Sequence, residues 1–328
     1  MKAIVYTQYG PPDVVAVAEV PKPVPGDHEV LIRIRATTVT TGDWRARSLR
    51  MPPGFGLLGR LFFGVFGPRK PILGTELAGE IEAVGKAVTR FRVGDAVFAF
   101  TGAAYGAHAE YRTMSEEGLL ALKPANLSFE EAAALSFGGT TALAFLRDKG
   151  HLAAGERVLI VGASGAIGSA AVQLAKHLGA HVTGVCSTDN VALVRALGAD
   201  EVVDHTREDF ARSGATYDII LDATGTVPLA RVEGVLNPGG RLLIVLGSFA
   251  QAIGMERPSA SSGKKVLAGV ASPGVEDLRY LAGLAESGVY KPLIDHTYPF
   301  ENAAEAHARV DTGKKRGNVV LTLQPGVA

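Results

Sequence analysis

The chain has one cysteine and one tryptophan in 328 residues. The single thiol, Cys186, excludes an intrachain disulfide framework and any multi-cysteine zinc site. It suits a reducing cytosol. No charge of either sign predominates, since Lys+Arg and Asp+Glu both number 33. A balanced chain carries no general electrostatic footprint for nucleic acid or an anionic membrane, and leaves room only for a local patch. Long uninterrupted apolar runs are also missing. The most apolar window, Met51–Pro68, holds five glycines, three prolines and Arg60. It reads as a pocket-side loop with a short helical turn, or as a loop packed on the core, and not as a membrane span. The opening MKAIVYTQYG has neither signal-peptide nor transit-peptide character. These absences set the expectation of a cytoplasmic protein that acts on a small molecule, with no nucleic-acid or membrane partner.

What is present is apolar residue, 47% against 20% charged. That is enough for a sizeable core, and the length suggests two domains. No internal repeat, no low-complexity segment and no disordered tail beyond the last few residues is evident. The first 120 residues read as short strands with many turns: Lys2–Tyr6, Glu29–Thr38, Gly74–Val84, Ala96–Thr101 and Ala107–Met114. Pro11 to Pro25 break the segment after the first strand into turns. The texture changes at Pro124. Ser128 precedes an apolar helix with Glu130 and Glu131 in its first turn, a capped start. Strands then alternate with helices. The strands are Val158–Val161, His181–Val185, Glu201–Val203, Ile219–Asp222, Arg241–Val245 and Lys265–Val270. The helices include Gly165–Leu178, Asn190–Leu197 and Leu229–Val235. Asn237–Gly240 reads as the turn into the fifth strand. This order predicts an α/β fold, a doubly wound parallel sheet beside a β-rich domain. Domain limits are expected at 1–123, 124–273 and 274–328, the last returning to the β-rich domain through Asn318–Leu323.

The strongest local signal is Arg157–Gly179. Val158–Val161 suits a strand buried on both faces. Gly162, Gly165 and Gly168 follow, and Ala171, Val172, Leu174, Ala175 and Leu178 recur at helical intervals. One glycine allows the turn, one clears space for a pyrophosphate, and one permits close packing. The helix N-terminus offers N–H groups to phosphate. Gly162, Ala163, Ser164, Gly165, Ala166, Ile167 and Gly168 are therefore candidate dinucleotide contacts. An enzyme using NAD usually ends its second strand with an acid for the ribose 2′-OH. Here that position is Cys186, followed by Ser187, Thr188 and Asn190. Without the carboxylate a 2′-phosphate is not repelled, and the hydroxyls can donate to it. NADPH is the expected cofactor, although Asp189 adds a negative charge nearby. Cys186 itself reads as packing at a strand end, or less readily as a redox group.

The order of parts resembles the medium-chain dehydrogenase/reductase superfamily. Gly74-Thr75-Glu76-Leu77-Ala78-Gly79 resembles its GHE-x-x-G motif, and Arg92–Val97 its GD-x-V turn. Gly162–Gly168, Gly198-Ala199-Asp200 and Arg316–Leu321 complete a match that runs nearly end to end. The resemblance implies a GroES-like domain and a Rossmann domain. It also implies a subclass, because Thr40 and Thr75 stand at two zinc-ligand positions and Ser136–Thr141 offers no thiolate or carboxylate. Threonine is a poor zinc ligand. Asp43, Glu76 and His108 remain formal metal candidates, with hydrogen-bond networks at the pocket floor the preferred reading of Asp43 and Glu76. The sequence thus resembles the zinc-independent quinone oxidoreductase branch.

By that resemblance Thr141, at the start of its helix, and Gly247-Ser248-Phe249 flank the nicotinamide. Lys315, Arg316 and Asn318 return toward the cofactor, and His205 stands where related reductases place a tyrosine beside the 2′-phosphate. A solvated His205 and a solvated basic turn are the plain alternatives. Quinones and α,β-unsaturated carbonyls accept hydride without a metal when a few donors meet the developing oxyanion. Thr40, Thr75 and Tyr105 are the candidate donors, with Tyr105 a proton donor, a stacking ring or a plain loop aromatic. Trp44 and the 54–66 loop would wall an apolar pocket, though core packing serves Trp44 equally well. A homodimer through the edge near Val266–Ala271 is implied. Three other readings stay open: a metal-free NADP-dependent alcohol or carbonyl dehydrogenase, a non-catalytic NADPH-binding protein, and an enoyl-thioester reductase.

Overall fold

The computed structural model describes residues 1–255 and 262–323, so the last few residues read above as a short tail lie outside the described residues. The chain divides into two units. The first takes residues 1–51, 56–137 and 273–328, and the second takes 52–55 and 138–272. The division therefore falls at Phe137/Gly138 and not at Lys123/Pro124. The reason is local, because the capped segment after Ser128 packs on strands of the first unit.

In chain order the first unit opens with β1 (Lys2–Val5), β2 (Ala16–Glu19), β3 (Glu29–Val39), α1 (Thr41–Ser48) and α2 (Gly56–Phe63). It continues through β4 (Glu76–Val84), β5 (Ala96–Phe100), β6 (Tyr111–Ser115), β7 (Leu120–Leu122) and α3 (Phe129–Ala133). The division falls within α4 (Ser136–Leu143), which runs on as a π-helical turn over Ala144–Lys149. Ser128 and Glu131 form the expected capping box, each side chain bonding the other's backbone N–H. The last expected strand begins at Tyr111, later than the alternation suggested. The 51–68 window folds into two full turns of helix, more than a helical turn in a loop.

The second unit contains β8 (Arg157–Val161), α5 (Ala166–His177), β9 (His181–Cys186), α6 (Val191–Ala196) and β10 (Glu201–Asp204). β11 (Tyr217–Asp222), α7 (Leu229–Val232), β12 (Leu236–Val245), α8 (Phe249–Ala252) and β13 (Lys265–Gly269) follow. Its strands lie in the order β10-β9-β8-β11-β12-β13, all parallel. That is the doubly wound order, with its switch point between β8 and β11. The apolar run Val158–Ile160 is fully buried, as a strand covered on both faces requires. Asn237–Gly240 do not precede β12 but lie inside it. The register jumps from Tyr217↔Leu236 to Ile219↔Arg241, so the turn-like residues form an irregularity within the strand.

The chain re-enters the first unit with α9 (Val275–Glu286), β14 (Ile294–Pro299), α10 (Ala303–Asp311) and β15 (Asn318–Thr322). β15 pairs antiparallel with β3, Val319 opposite Val39, which makes the C-terminal return a strand of the N-terminal sheet. β3 also pairs with β4 and β6. It is the hub of the first core, around Ile32, Ile34, Leu77, Ile81, Val97 and Val319. Among the described residues no helix is long and apolar enough to cross a membrane.

Candidate active site

In the second unit the glycine loop joins β8 to α5. Gly162 has φ +79°, which lets the chain turn off the strand. At Gly168 an added Cβ would meet the Gly162 carbonyl oxygen at 2.1 Å and Ala163 Cα at 2.8 Å. Its packing duty is against its own turn. At Gly165 an added Cβ would meet only Gly162 O, at 3.5 Å. The protein itself therefore leaves room there, the space expected if a phosphate approaches. Gly165 is also the N-cap of α5 and provides no side-chain cap. The first N–H groups of this 12-residue helix have no intrahelical acceptors. Such a cradle fits a dinucleotide pyrophosphate.

Asn190 ties this loop to the end of β9. Its Nδ2 donates to Ser164 Oγ at 3.1 Å and to Ser187 Oγ at 3.1 Å. Both hydroxyls act as acceptors there, and each keeps its proton for another partner. Thr188 is different, because its hydroxyl donates to Asp204 Oδ2 at 2.6 Å. Asp204 ends β10 directly opposite Cys186 on β9. It also accepts from the backbone N–H and hydroxyl of Thr206 at 3.0 and 2.7 Å. The Thr188 hydroxyl, followed by the Thr206 donors, holds this carboxyl below its ordinary range. So Thr188 is not a spare donor, and the strand end does carry an acid, one strand over. Sequence reasoning missed Asp204 because cross-strand register is a tertiary property. The only signal was an acid at the end of the third strand. Cys186 is buried with its thiol pushed up to about 11, by burial and then by Asp204. It is packing. The His205 ring is exposed, and its backbone N–H donates to Cys186 O at 3.0 Å.

Thr141 is the sixth residue of α4 and buried, not at the start of its helix as expected. Gly247 precedes the Ser248–Gln251 capping box of α8, where an added Cβ would strike Gln251 Oε1 at 2.3 Å. Phe249 packs edge-on against Phe55, ring centroids 5.4 Å apart, and its N–H donates to Pro53 O at 2.9 Å. The short 52–55 segment thus belongs with this turn.

In the first unit Thr40 directly follows β3 and caps α1. Its hydroxyl donates to Asp43 Oδ2 at 2.6 Å, its N–H donates to the same oxygen at 2.8 Å, and Asp43 N–H returns to Thr40 Oγ1 at 3.2 Å. Gly74 N–H donates to Asp43 Oδ1 at 2.8 Å. Thr75 Oγ1 lies 3.3 Å from Thr40 Oγ1. Thr40, Asp43 and Thr75 are all buried. The Thr40 proton is committed to the carboxylate, so Thr75 is the hydroxyl with a proton to offer. Glu76 is buried beneath them. It accepts from Thr38 Oγ1 at 2.5 Å and Phe137 N–H at 2.6 Å. Burial raises its carboxyl to about 7, against these two donors. Lys315 donates to Gly317 O at 2.5 Å and is pushed down to about 8, chiefly by burial. Asn318 Nδ2 donates to Leu293 O at 3.0 Å, which uses one of its two N–H groups. Arg316 is exposed, its N–H on Asp295 Oδ1 at 3.1 Å.

Tyr105 is buried and has φ +55°, an uncommon conformation for a residue with a side chain. Burial, then Asp43 and Tyr6, raises its phenol, which makes it a poor acid. It lines an open groove of about 620 Å³ with Phe62 and Phe63 of α2, Tyr6 and Lys70. The apolar window does build a pocket wall, around Tyr105. Trp44 is half-buried against the core and does not line this groove.

Residues 26–124 match the family described as alcohol dehydrogenase GroES-like domain, and residues 197–321 match the one described as zinc-binding dehydrogenase. The chain is 32% identical to a chloroplastic quinone-oxidoreductase homolog of Spinacia oleracea, covering 98% of each. It is 31% identical to a chloroplastic NADPH-dependent alkenal/one oxidoreductase of Arabidopsis thaliana, over 98% of this chain and 79% of that one. The structure of the quinone oxidoreductase from Coxiella burnetii superposes with a TM-score of 0.87 at 27% identity, covering 99% of each chain. The zinc in the second family's description finds no fitting ligands here. Thr40 and Thr75 are weak donors, the Asp43 and Glu76 carboxylates are filled by hydrogen bonds, and His108 donates from Nε2 to Thr38 O at 2.9 Å. Among the described residues no three His, Cys, Asp or Glu side chains converge.

Proposed function

The chain belongs to the medium-chain dehydrogenase/reductase superfamily, in its quinone oxidoreductase branch, and from that premise we propose that this oxidoreductase passes hydride from NADPH to a quinone or an α,β-unsaturated carbonyl. The observation that carries the reading is the Ser164–Asn190–Ser187 cluster beside a strand end where Cys186 replaces an acid. Two hydroxyls with protons to spare suit a 2′-phosphate, and the nearby Asp204 is occupied by threonines. When bound, the nicotinamide supplies the hydride. The chain's own residues orient it and stabilise charge. Gly162–Gly168 and the start of α5 hold the pyrophosphate. Asp43 takes the Thr40 proton, so Thr75 is the donor in its 3.3 Å contact with Thr40, and on substrate binding it turns that proton to the developing oxyanion. Tyr105 offers an aromatic face in an apolar groove, and its raised pKa suits a hydrogen-bond donor better than an acid.

The test is NADPH oxidation by purified protein against a panel of quinones and a panel of enones and 2-alkenals, with and without a chelator. Turnover with either panel, surviving chelation and faster with NADPH than with NADH, is expected. Oxidation with neither panel sinks the proposal. Secondary-alcohol oxidation alone would instead assign a metal-free dehydrogenase, and tight NADPH binding without turnover a non-catalytic protein. β13 ends the strand order of its sheet, and an open edge needs cover. We propose that a second copy provides it, and light scattering showing a monomer would dispose of that.

A further inference from the structure

Net neutrality hides one concentrated patch. Between Asp43 and Glu76 the chain has no acidic residue and six basic ones, Arg45, Arg47, Arg50, Arg60, Arg69 and Lys70. Arg47 is buried and paired with Asp311, but Arg50, Arg60, Arg69 and Lys70 are exposed. Among the described residues, the same stretch holds six of the exposed large apolar side chains. Leu57 is 73% exposed, Phe62 55% and Phe66 fully, with Leu58, Leu61 and Val65 about half. At 3.6 residues per turn, Leu57, Leu58, Leu61 and Phe62 share an arc of roughly 140° on α2. The helix meets the protein through buried Gly59, against Met51, and half-buried Phe63. The grooves on either side of α2 contain no carboxylate.

We propose that α2 and the 64–70 turn dock on an anionic lipid bilayer, the apolar arc entering the headgroup boundary and the four exposed cations meeting lipid phosphates. An apolar face of this extent needs a partner. The flanking charge chooses it, since an apolar helix that carries Arg60 and is flanked in sequence by Arg50, Arg69 and Lys70, with no acid between, suits an anionic interface. A second copy is a poor occupant, because a two-fold contact would set these cations against their own images. Leu58, Leu61 and Phe62 also line the Tyr105 groove of the proposed acceptor site, whereas Leu57 and Phe66 do not, so the inference is separated from that reading at those two residues.

The experiment is co-sedimentation of the whole chain with vesicles of equimolar phosphatidylglycerol and phosphatidylcholine, and with phosphatidylcholine alone. Leu57 and Phe66 lie outside the proposed acceptor and nucleotide contacts and are exposed, so Leu57→Ser/Phe66→Ser retains the fold, checked by circular dichroism. Binding to the anionic vesicles, weakened by salt and reduced about tenfold or more in the double variant, is expected. No binding, equal binding to both vesicle types, or unchanged binding of the variant overturns the proposal. So does self-association in light scattering that the variant abolishes while neither protein binds vesicles.

Discussion

The Thr188 hydroxyl donates to the Asp204 carboxylate at 2.6 Å, across the ends of two adjacent parallel strands. This bond places a negative charge beside the expected 2′-phosphate position and masks it at once. Thr188→Val removes one of the donors and leaves the carboxylate on the Thr206 groups alone. A bare acid repels a phosphate and welcomes a ribose hydroxyl. The KM for NADPH should rise by about tenfold, with KM for NADH and both kcat values nearly unchanged. Asp204→Asn in the same background should restore NADPH. Steady-state kinetics with the two cofactors decides it, and parallel changes for both would remove Asp204 from cofactor selection.

Glu76 gives a pH signature. Its folded pKa is about 7, against 4.5 unperturbed, because burial outweighs two donated hydrogen bonds. Below about 4.5 the group is protonated in both folded and unfolded chains and costs nothing. As pH rises toward 7 the unfolded chain ionises first and binds fewer protons, so stability falls, and above 7 the loss is constant. The full difference corresponds to about 3 kcal/mol at most. Glu76→Gln, which mimics the protonated acid, should flatten this limb. Lys315 acts in a higher window. Its pKa of about 8 lies below the ordinary 10.5, so the cost of its charge is present at neutral pH and relieved above 8. Buried His307, held well below its ordinary range, titrates in the opposite sense below about 6.5. The glutamate is therefore read as the difference between wild type and Glu76→Gln in urea titrations from pH 5 to 7, and identical slopes in the two would assign the limb elsewhere.

Thr40 separates structure from chemistry. Thr40→Val removes the cap of α1 and one donor to buried Asp43, which retains the N–H groups of Thr40 and Gly74. A lost cap costs about 1 kcal/mol and an underbonded buried carboxylate adds about as much. Thr40→Ser keeps the bond and should keep stability. With its proton committed to Asp43, Thr40 should affect kcat less than Thr75 does. Thr75→Val is expected to lower kcat about tenfold or more with little change in KM. The reverse order in kcat would make Thr40 the oxyanion donor.

What the sequence made legible was whatever depends on near neighbours. The buried run of β8, the glycine turn and the Ser128–Glu131 box are set within a few residues, and each stands where the pattern placed it. The return of β15 was readable because an isolated apolar strand needs a sheet. Register was not readable. Nothing near Cys186 says that Asp204 lies opposite, and nothing in Asn-Pro-Gly-Gly says that strand continues through it. In the 51–68 window glycine and proline composition argued for a loop, while the i, i+4 pairs Leu57–Leu61 and Leu58–Phe62 supported a helix. The roles of Thr188 and Asn318 changed for a related reason. Both are donors by type, and only the fold shows that the Thr188 proton and one of the two Asn318 amide protons already have acceptors.

The glycine loop allows packing and ligand approach to be told apart by two substitutions three residues apart. At Gly168 a methyl group would lie 2.1 Å from Gly162 O and 2.8 Å from Ala163 Cα, both backbone atoms that cannot swing aside. Gly168→Ala should therefore destabilise the protein by about 2 kcal/mol or more, although alanine is the better helix former. At Gly165 the backbone is extended, with φ −79° and ψ 177°, and a methyl group would meet only Gly162 O at 3.5 Å. Sterically the protein accepts the methyl group, and the poorer capping by alanine should lower the thermal midpoint of Gly165→Ala by only about 2 degrees. If the pyrophosphate approaches at this point, the same methyl occupies its space, and NADPH affinity should drop about tenfold or more. Fluorescence titration of the nucleotide alongside thermal melts separates the two effects. A Gly165→Ala protein that is stable and binds NADPH normally would move the phosphates away from this loop, whatever its likeness to other dinucleotide cradles.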